Sequence, residues 1–168
     1  MGDRLWHLAR GEDARRVSAH TPIKSISNET TFYEDTANPV ILDGHIWRLS
    51  EQVSARAKAR ELAGNVVTLK LKRANHRLLS RQLALHQPTQ LADTIYRTAR
   101  GLFDQVGAEG PYRLLGVGIS DLVPSKDADR EGDLLDPGAG RRADAERAAD
   151  KIRAKFGKDS IVKGRALR

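Results

Sequence analysis

Cysteine is absent from the 168 residues, and aromatic side chains make up only 5% of them. The lack of cysteine excludes disulfides and thiolate metal sites and is compatible with a reducing cytoplasm, where we expect the protein to reside. No apolar run approaches the length of a membrane span, and residues 1–10 are too polar for a signal peptide. The length fits one domain of ordinary size with room for appendages.

Acidic residues are also absent from one long stretch, between Leu62 and Ala92. Two strand-like runs in it, residues 66–73 and 77–85, hold five cations: Lys70, Lys72, Arg73, Arg77 and Arg81. Paired as a hairpin, the runs predict a cationic sheet surface without internal neutralisation, which would attract a polyanion. The alternative is a solvated strand face whose lysines suppress edge pairing. The net charge of +7 favours an acidic partner.

Hydrophobic periodicity predicts two helices and four strands. Asn38 before Pro39 is a helix start, and Gly64-Asn65 is expected to close that helix. A second helix is expected to begin at Pro88-Thr89. The predicted apolar helix positions are Leu42, Ile46, Leu49, Val53 and Ala57 in the first helix, and Leu91, Ile95, Ala99, Leu102 and Val106 in the second.

The strands are expected at residues 23–33, 66–73, 77–85 and 112–122. The order β-α-β-β-α-β predicts an α+β fold, with a four-stranded sheet and both helices on one of its faces. The opposite face would then be exposed and carry serines, glycines, Thr68 and cations. Small residues there would let another backbone come close, so we predict a binding surface.

The composition changes after Pro124. Residues 125–142 are rich in Asp, Gly and Arg and indicate a flexible linker. Ala145, Ala149, Ile152 and Phe156 then predict a short amphipathic helix that ends at Gly157.

Catalysis finds little support in the sequence. There is no Gly-rich phosphate loop, nucleophile elbow or zinc-protease motif, and the five histidines share no ligand-like spacing. We therefore predict no catalytic and no metal-binding residue. The RNA recognition module has the same element order but stacks bases on aromatic residues, and the third strand here has none. Contacts to phosphates fit better.

Several segments, taken together, resemble the Y-family translesion DNA polymerases, and in particular their bacterial DNA polymerase IV branch. They are residues 6–13 (WHLARGED), 24–32 (KSISNETTF), 67–72 (VTLKLK), 80–81 (SR), 113–120 (RLLGVGIS) and 149–157 (ADKIRAKFG). Each segment alone is modestly specific, but their order along the chain matches that family.

The resemblance implies the end of a thumb with a linker in residues 1–20, a little finger domain in 21–123, and a linker with a short helix in 124–168. It also implies that the palm of a template-directed, error-prone polymerase using Mg²⁺ precedes Met1. We expect no cofactor and no catalysis in this chain, a monomeric state, and association with the nucleoid.

The little finger of that family binds primer-template DNA through phosphate contacts. The residues we expect to bind DNA are Lys24, Ser25, Ser27, Thr68, Lys70, Lys72, Arg73, Arg77, Arg81, Gly116, Gly118 and Ser120. Bacterial relatives also reach a sliding clamp through a short hydrophobic motif, for which Leu134 and Leu135 are the weak candidates. Two alternatives stay open: a stand-alone nucleic-acid-binding module, and an interaction domain that recruits a clamp or a polymerase.

Overall fold

A computed structural model describes residues 2–16, 22–106, 110–129 and 138–164. Four helices and four strands account for most of this part of the chain. They are α1 (Gly2–Ala9), β1 (Ser25–Thr36), α2 (Pro39–Lys58), β2 (Leu62–Arg73), β3 (Leu78–Thr89), α3 (Ala92–Val106), β4 (Tyr112–Pro124) and α4 (Ala139–Phe156).

The strands form one antiparallel sheet in the order β1-β4-β2-β3. Helices α2 and α3 cover one of its faces, and this side holds the hydrophobic core. Val67, Leu69 and Leu71 of β2 face Val117 and Ile119 of β4 within that core. The predicted α+β fold, with two helices on one face of a four-stranded sheet, is confirmed.

Helix α2 begins where the sequence predicts. The Asn38 side chain accepts hydrogen bonds from the backbone N–H groups of Val40 and Ile41, and Pro39 occupies the first turn. All the predicted apolar positions of both helices are buried. The predicted end of α2 is wrong, because the helix stops at Lys58 and Gly64 lies inside β2. A Cβ at Gly64 would lie 2.7 Å from Ile119 Cβ, so glycine serves close strand packing there.

The third strand also differs from its prediction. It runs from Leu78 to Thr89, so Arg77 belongs to the preceding turn and Pro88-Thr89 ends a strand instead of starting a helix. Helix α3 begins at Ala92. Pro88 is tolerated because β3 is an edge strand of the sheet.

Helix α4 is longer than predicted, and a different side of it is buried. It begins at Ala139, within the segment expected to be a linker. Of the apolar positions that predicted this helix, Ile152 and Phe156 are 38% and 68% exposed, whereas Ala149 is buried together with Glu146. The helix ends at Phe156, before Gly157 with its φ of 99°.

Glu146 attaches α4 to the helical layer. Its carboxylate accepts hydrogen bonds from the backbone N–H groups of Ala92 and Asp93 at 2.8 and 3.1 Å, and Lys58 Nζ lies 2.6 Å away. These N–H groups open α3 and lack partners within the helix. A side chain more than fifty residues away in the sequence therefore caps α3.

Asp129 is a second acid that holds residues after β4 against the domain. It accepts hydrogen bonds from the Thr89 hydroxyl at 2.7 Å and from the Gln90 backbone N–H at 3.3 Å. The predicted linker is thus anchored at residue 129 and is helical from Ala139 onward. Within the described ranges, no helix combines the length and the apolar character needed to cross a membrane.

Candidate nucleic-acid interface

The sheet face opposite α2 and α3 carries small, hydroxyl and cationic side chains, and we call it the open face. Two rows across the four strands define it: Ser27, Gly118, Thr68 and Gln82 in one, and Glu29, Gly116, Lys70 and Ser80 in the next. Ser25 and Ser120 continue it at one end, and Lys72 at the other.

A shallow depression of about 240 Å³ lies in the middle of the open face. Its floor is formed by β4, where two positions lack side chains, and its walls by the flanking strands. The lining residues are Ser25, Ser27, Asn28, Glu29, Thr68, Lys70, Ser80, Gly116, Val117, Gly118, Ile119 and Ser120. A backbone of another molecule can approach this floor closely, and hydroxyl and ammonium groups stand around it as donors to an anion.

The two floor glycines also have a structural role. A Cβ at Gly118 would lie 2.8 Å from Ser27 Cβ, and one at Gly116 would lie 3.0 Å from Glu29 Cβ. Strand β1 therefore sits against β4 at a distance that leaves no room for a side chain at position 118. A larger residue at position 118 would therefore require β1 to move.

Glu29 neutralises part of the open face. Lys70 Nζ reaches across β4 at Gly116 and lies 2.7 Å from Glu29 Oε2. Both side chains are more than one-third exposed, so the pair contributes at most about 1 kcal/mol to stability. The predicted cationic surface without internal neutralisation is therefore wrong, because the neutralising acid comes from β1 and not from the hairpin.

The register separates the predicted cations. Arg81 pairs with Leu69, and directly opposed residues share a side of the sheet, so Arg81 points to the helical side. Arg73 follows a register shift and pairs with the buried Tyr112. Lys24 precedes β1 and Arg77 precedes β3, which places both outside the strands.

Lys70 and Lys72 are thus the predicted cations that the open face contains. The predicted small residues Ser25, Ser27, Thr68, Gly116, Gly118 and Ser120 are all brought together on it.

Sequence reasoning missed three polar members of the open face, namely Glu29, Ser80 and Gln82. Ser80 and Gln82 alternate along β3 and could have been found once β3 was paired with β2. Glu29 alternates with Ser25 and Ser27 along β1, so the signal was present, but its position beside Lys70 requires the strand order.

Two further predictions concern metals and a partner. In the part of the chain that the structure describes, no group of three or more His, Asp and Glu residues is placed to hold a metal ion. A resident Mg²⁺ therefore does not fit these residues. Leu134 and Leu135 lie outside the described residues.

Comparison with known proteins identifies a family. The model of the impB/mucB/samB family C-terminal domain matches residues 23–134. DNA polymerase IV of Brucella melitensis is 45% identical over 164 residues, which cover 98% of this chain and 37% of that protein. DNA polymerase IV 1 of Mesorhizobium japonicum is 44% identical, with the same two coverages. The chain therefore spans less than half the length of these curated relatives.

Solved structures share the fold. A complex of the β-clamp processivity factor and the little finger domain of PolIV matches with a TM-score of 0.51 and 21% identity, covering 66% of this chain and 97% of that one. A Y-family DNA polymerase chimera matches with a TM-score of 0.54 and 14% identity, covering 72% and 35%. The chain belongs to the impB/mucB/samB family, and it shares its fold with the little finger domain of PolIV.

Proposed function

We propose that the open face binds the phosphate backbone of primer-template DNA without regard to base sequence. The observation that carries this proposal is the depression with a glycine floor, bordered by hydroxyl groups and by Lys70, with Lys72 two positions further along β2 on the same face. Hydroxyl and ammonium donors reach phosphate oxygens, which are the same at every base pair.

A salt series tests this proposal. Lys70→Gln with Lys72→Gln should lower the slope of log affinity against log salt by about two units for duplex DNA, measured by fluorescence anisotropy. Arg81→Gln is the matched control, since Arg81 lies on the same strand pair but on the other side of the sheet. An equal loss from both changes, or no loss from either, would contradict the assignment of DNA to the open face.

The whole protein is proposed to be an error-prone, template-directed DNA polymerase. This follows from the relatives named DNA polymerase IV, of which the chain spans 37% in the first two cases. Mg²⁺ would then belong to parts of that protein beyond the described residues. The domain limits given above, 1–20, 21–123 and 124–168, are likewise part of this proposal.

A sliding clamp is the second partner that we propose. A solved little finger domain of the same fold is complexed with the β-clamp processivity factor. Leu134 and Leu135 form an apolar pair within a polar segment and could act as the few anchors of an extended peptide. A peptide of residues 125–142 should bind the clamp in a titration, and the variant with Leu134→Ala and Leu135→Ala should not. Equal, negligible binding by both peptides would remove the proposal.

A further inference from the structure

The tail that contains α4 carries most of the net positive charge of the chain. Residues 139–168 contain ten Lys and Arg against four Asp and Glu, which accounts for six of the seven net charges. Little of this excess positive charge lies on the open face.

The charged residues of helix α4 differ between the side that contacts the helical layer, here called the inner side, and the outer side. On the inner side, Glu146 and Asp150 both contact Lys58 of α2 at 2.6 Å. Two inner cations are matched as well, since Arg142 Nε lies 2.9 Å from Asp93 and Arg153 Nη2 lies 2.9 Å from Glu51. The inner side of α4 is thus neutralised by the helical layer, and its orientation is fixed by these ion pairs.

The outer side presents a basic ridge, which consists of Arg147, Lys151 and Lys155. These residues are exposed and four positions apart, so they follow one another along the helix at intervals of about 6 Å. Two acids act on Arg147: Asp129, whose pKa the Arg147 charge lowers, and Asp144, which lies 3.1 Å away, with both side chains of this second pair at least half exposed. A pair in that setting neutralises little in salt solution.

An exposed aromatic ring stands at the end of the basic ridge. Phe156 is 68% exposed, and Lys155 Nζ lies 5.2 Å from its ring centroid. Ile152, one turn before Phe156, is exposed as well. An aromatic ring beside a row of cations is the combination on which single-stranded nucleic acids stack their bases while the cations follow the phosphates. A duplex keeps its bases stacked internally and offers no face to Phe156.

We propose that the outer side of α4 is a second nucleic-acid surface and that its ligand is a single strand. Arg147, Lys151 and Lys155 contact successive phosphates, and the ring of Phe156 stacks on a base. The surface is separate from the open face, because α4 contacts the helical layer, which covers the other side of the sheet. The proposal does not depend on duplex binding by the open face.

Anisotropy of a fluorescein-labelled oligothymidylate across a series of KCl concentrations tests the basic ridge in the full chain. The triple variant Arg147→Gln, Lys151→Gln, Lys155→Gln should lower the salt slope by about two units, at roughly 0.7 per phosphate of a single strand. The control triple variant Arg4→Gln, Arg16→Gln, Arg60→Gln removes the same charge from exposed positions on other segments and should leave the slope unchanged. Equal changes of the salt slope in both variants would contradict binding by the basic ridge, because only the net charge of the protein would then matter.

Phe156→Ala tests the stacking. It should weaken oligothymidylate binding by about tenfold without altering the salt slope and should leave binding to a blunt duplex unchanged. Phe156→Trp should retain the affinity. Loss of duplex and single-strand binding in equal measure would overturn the assignment to single strands, and so would wild-type binding of polyglutamate with the same affinity as oligothymidylate.

The Lys70→Gln, Lys72→Gln variant separates this proposal from the open-face proposal. It should lower duplex binding and leave single-strand binding intact. If the open face proves inert toward duplex, the oligothymidylate results still decide the role of α4.

Discussion

The two faces of the sheet are built from alternate residues of the same strands, yet one carries large apolar side chains and the other small and polar ones. On the helical side, β2 and β4 present Val67, Leu69, Val117 and Ile119, which are all at most 1% exposed. On the open face, the same strands present Thr68, Lys70 and two glycines. Burial alone explains the large apolar side chains on the helical side. The small residues on the open face have two causes, because Gly118 is required both for contact between β1 and β4 and for access to the depression.

The largest loss of stability is expected from truncating a core residue of β4. Leu115 is fully buried, so Leu115→Ala should lower the free energy of unfolding by about 2–5 kcal/mol. Leu83→Ala is the control, because Leu83 points to the same side of the sheet but is 49% exposed on the edge strand. Urea denaturation measures both changes. Similar losses at the two positions would mean that the helical layer extends over β3.

Replacing Glu146 should lower the stability nearly as much, although Glu146 is a charged group on the helical side. Glu146→Gln removes the charge that partners Lys58 and caps α3, and it should cost about 1–3 kcal/mol. Asp144→Asn, an exposed change on the same helix, should cost less than about 0.5 kcal/mol. Equal and negligible losses in urea denaturation would contradict the capping role.

The effect of Glu146→Gln should depend on pH. Burial alone would raise the pKa of the Glu146 carboxyl, but the Lys58 ammonium and the N–H groups of Ala92 and Asp93 outweigh it, so its pKa is lowered. A lowered folded-state pKa gives stability that is present above the ordinary value of 4.5 and is lost as pH falls through the folded-state value. The difference between wild type and Glu146→Gln in unfolding midpoint should therefore shrink below about pH 4.5. A constant difference would exclude ionisation as its cause.

The contribution of Asp129 to stability should change with pH in the opposite direction. Its pKa is raised, because burial outweighs the hydrogen bonds from Thr89 and Gln90. The ionised form is therefore disfavoured in the folded state, and the Asp129 contribution becomes more favourable as pH falls. The Glu146 charge also contributes to raising the pKa of Asp129, so Glu146→Gln should relieve part of that shift.

Gly118 gives the sharpest comparison of the two explanations for small residues. Gly118→Ala should cost about 1–3 kcal/mol, because its Cβ would lie 2.8 Å from Ser27 Cβ and β1 would have to move. Gly101→Ala in α3 is the control. Among the described residues, no atom lies within 4 Å of its Cβ, so this change should stabilise the helix by up to about 1 kcal/mol. A Gly118→Ala protein of unchanged melting temperature and weakened duplex binding would assign this glycine to DNA alone.

The smallest effect on stability concerns Glu29. Glu29→Gln should change the free energy of unfolding by less than about 1 kcal/mol and should strengthen duplex binding, because Lys70 then loses a competing anion. Glu34→Gln, an equal charge change at an exposed position of β1, should have less effect on affinity. Anisotropy at low salt measures both. Weaker binding by Glu29→Gln would remove the open face as a phosphate surface.

Local patterns in the sequence predicted the order of the helices and strands but not all of their ends, and the arrangement of side chains on the sheet depended on pairing between distant segments. Asn38 with Pro39 and the spacing of the α2 residues predict that helix, because a cap and an apolar stripe are local properties. Arg81 was misplaced because the alternation in β3 is blurred, and a shift of one residue moves every side chain to the other face. The Lys70–Glu29 pair could not be predicted, since it requires β4 to lie between β1 and β2.

Glu146 illustrates a different limit. It lies three residues from Ala143 and three from Ala149, both buried, and this flanking by small residues was the available signal. An acid on the apolar side of a helix is normally a reason to doubt the helix face, since burial of an unpaired charge is costly. Its partners, Lys58 and the start of α3, come from segments that no local pattern connects to α4.

The cap that Glu146 supplies also bears on where this domain ends. The match to the family C-terminal domain stops at residue 134, before α4 begins. A protein engineered to stop there would leave the N–H groups of Ala92 and Asp93 without the carboxylate that now binds them, and it would leave Lys58 without its buried counterion. The boundary set by sequence similarity and the boundary set by these hydrogen bonds are therefore different places in this chain. For grafting or exchange of this domain, the smallest unit that keeps its own hydrogen bonds satisfied extends at least to Phe156.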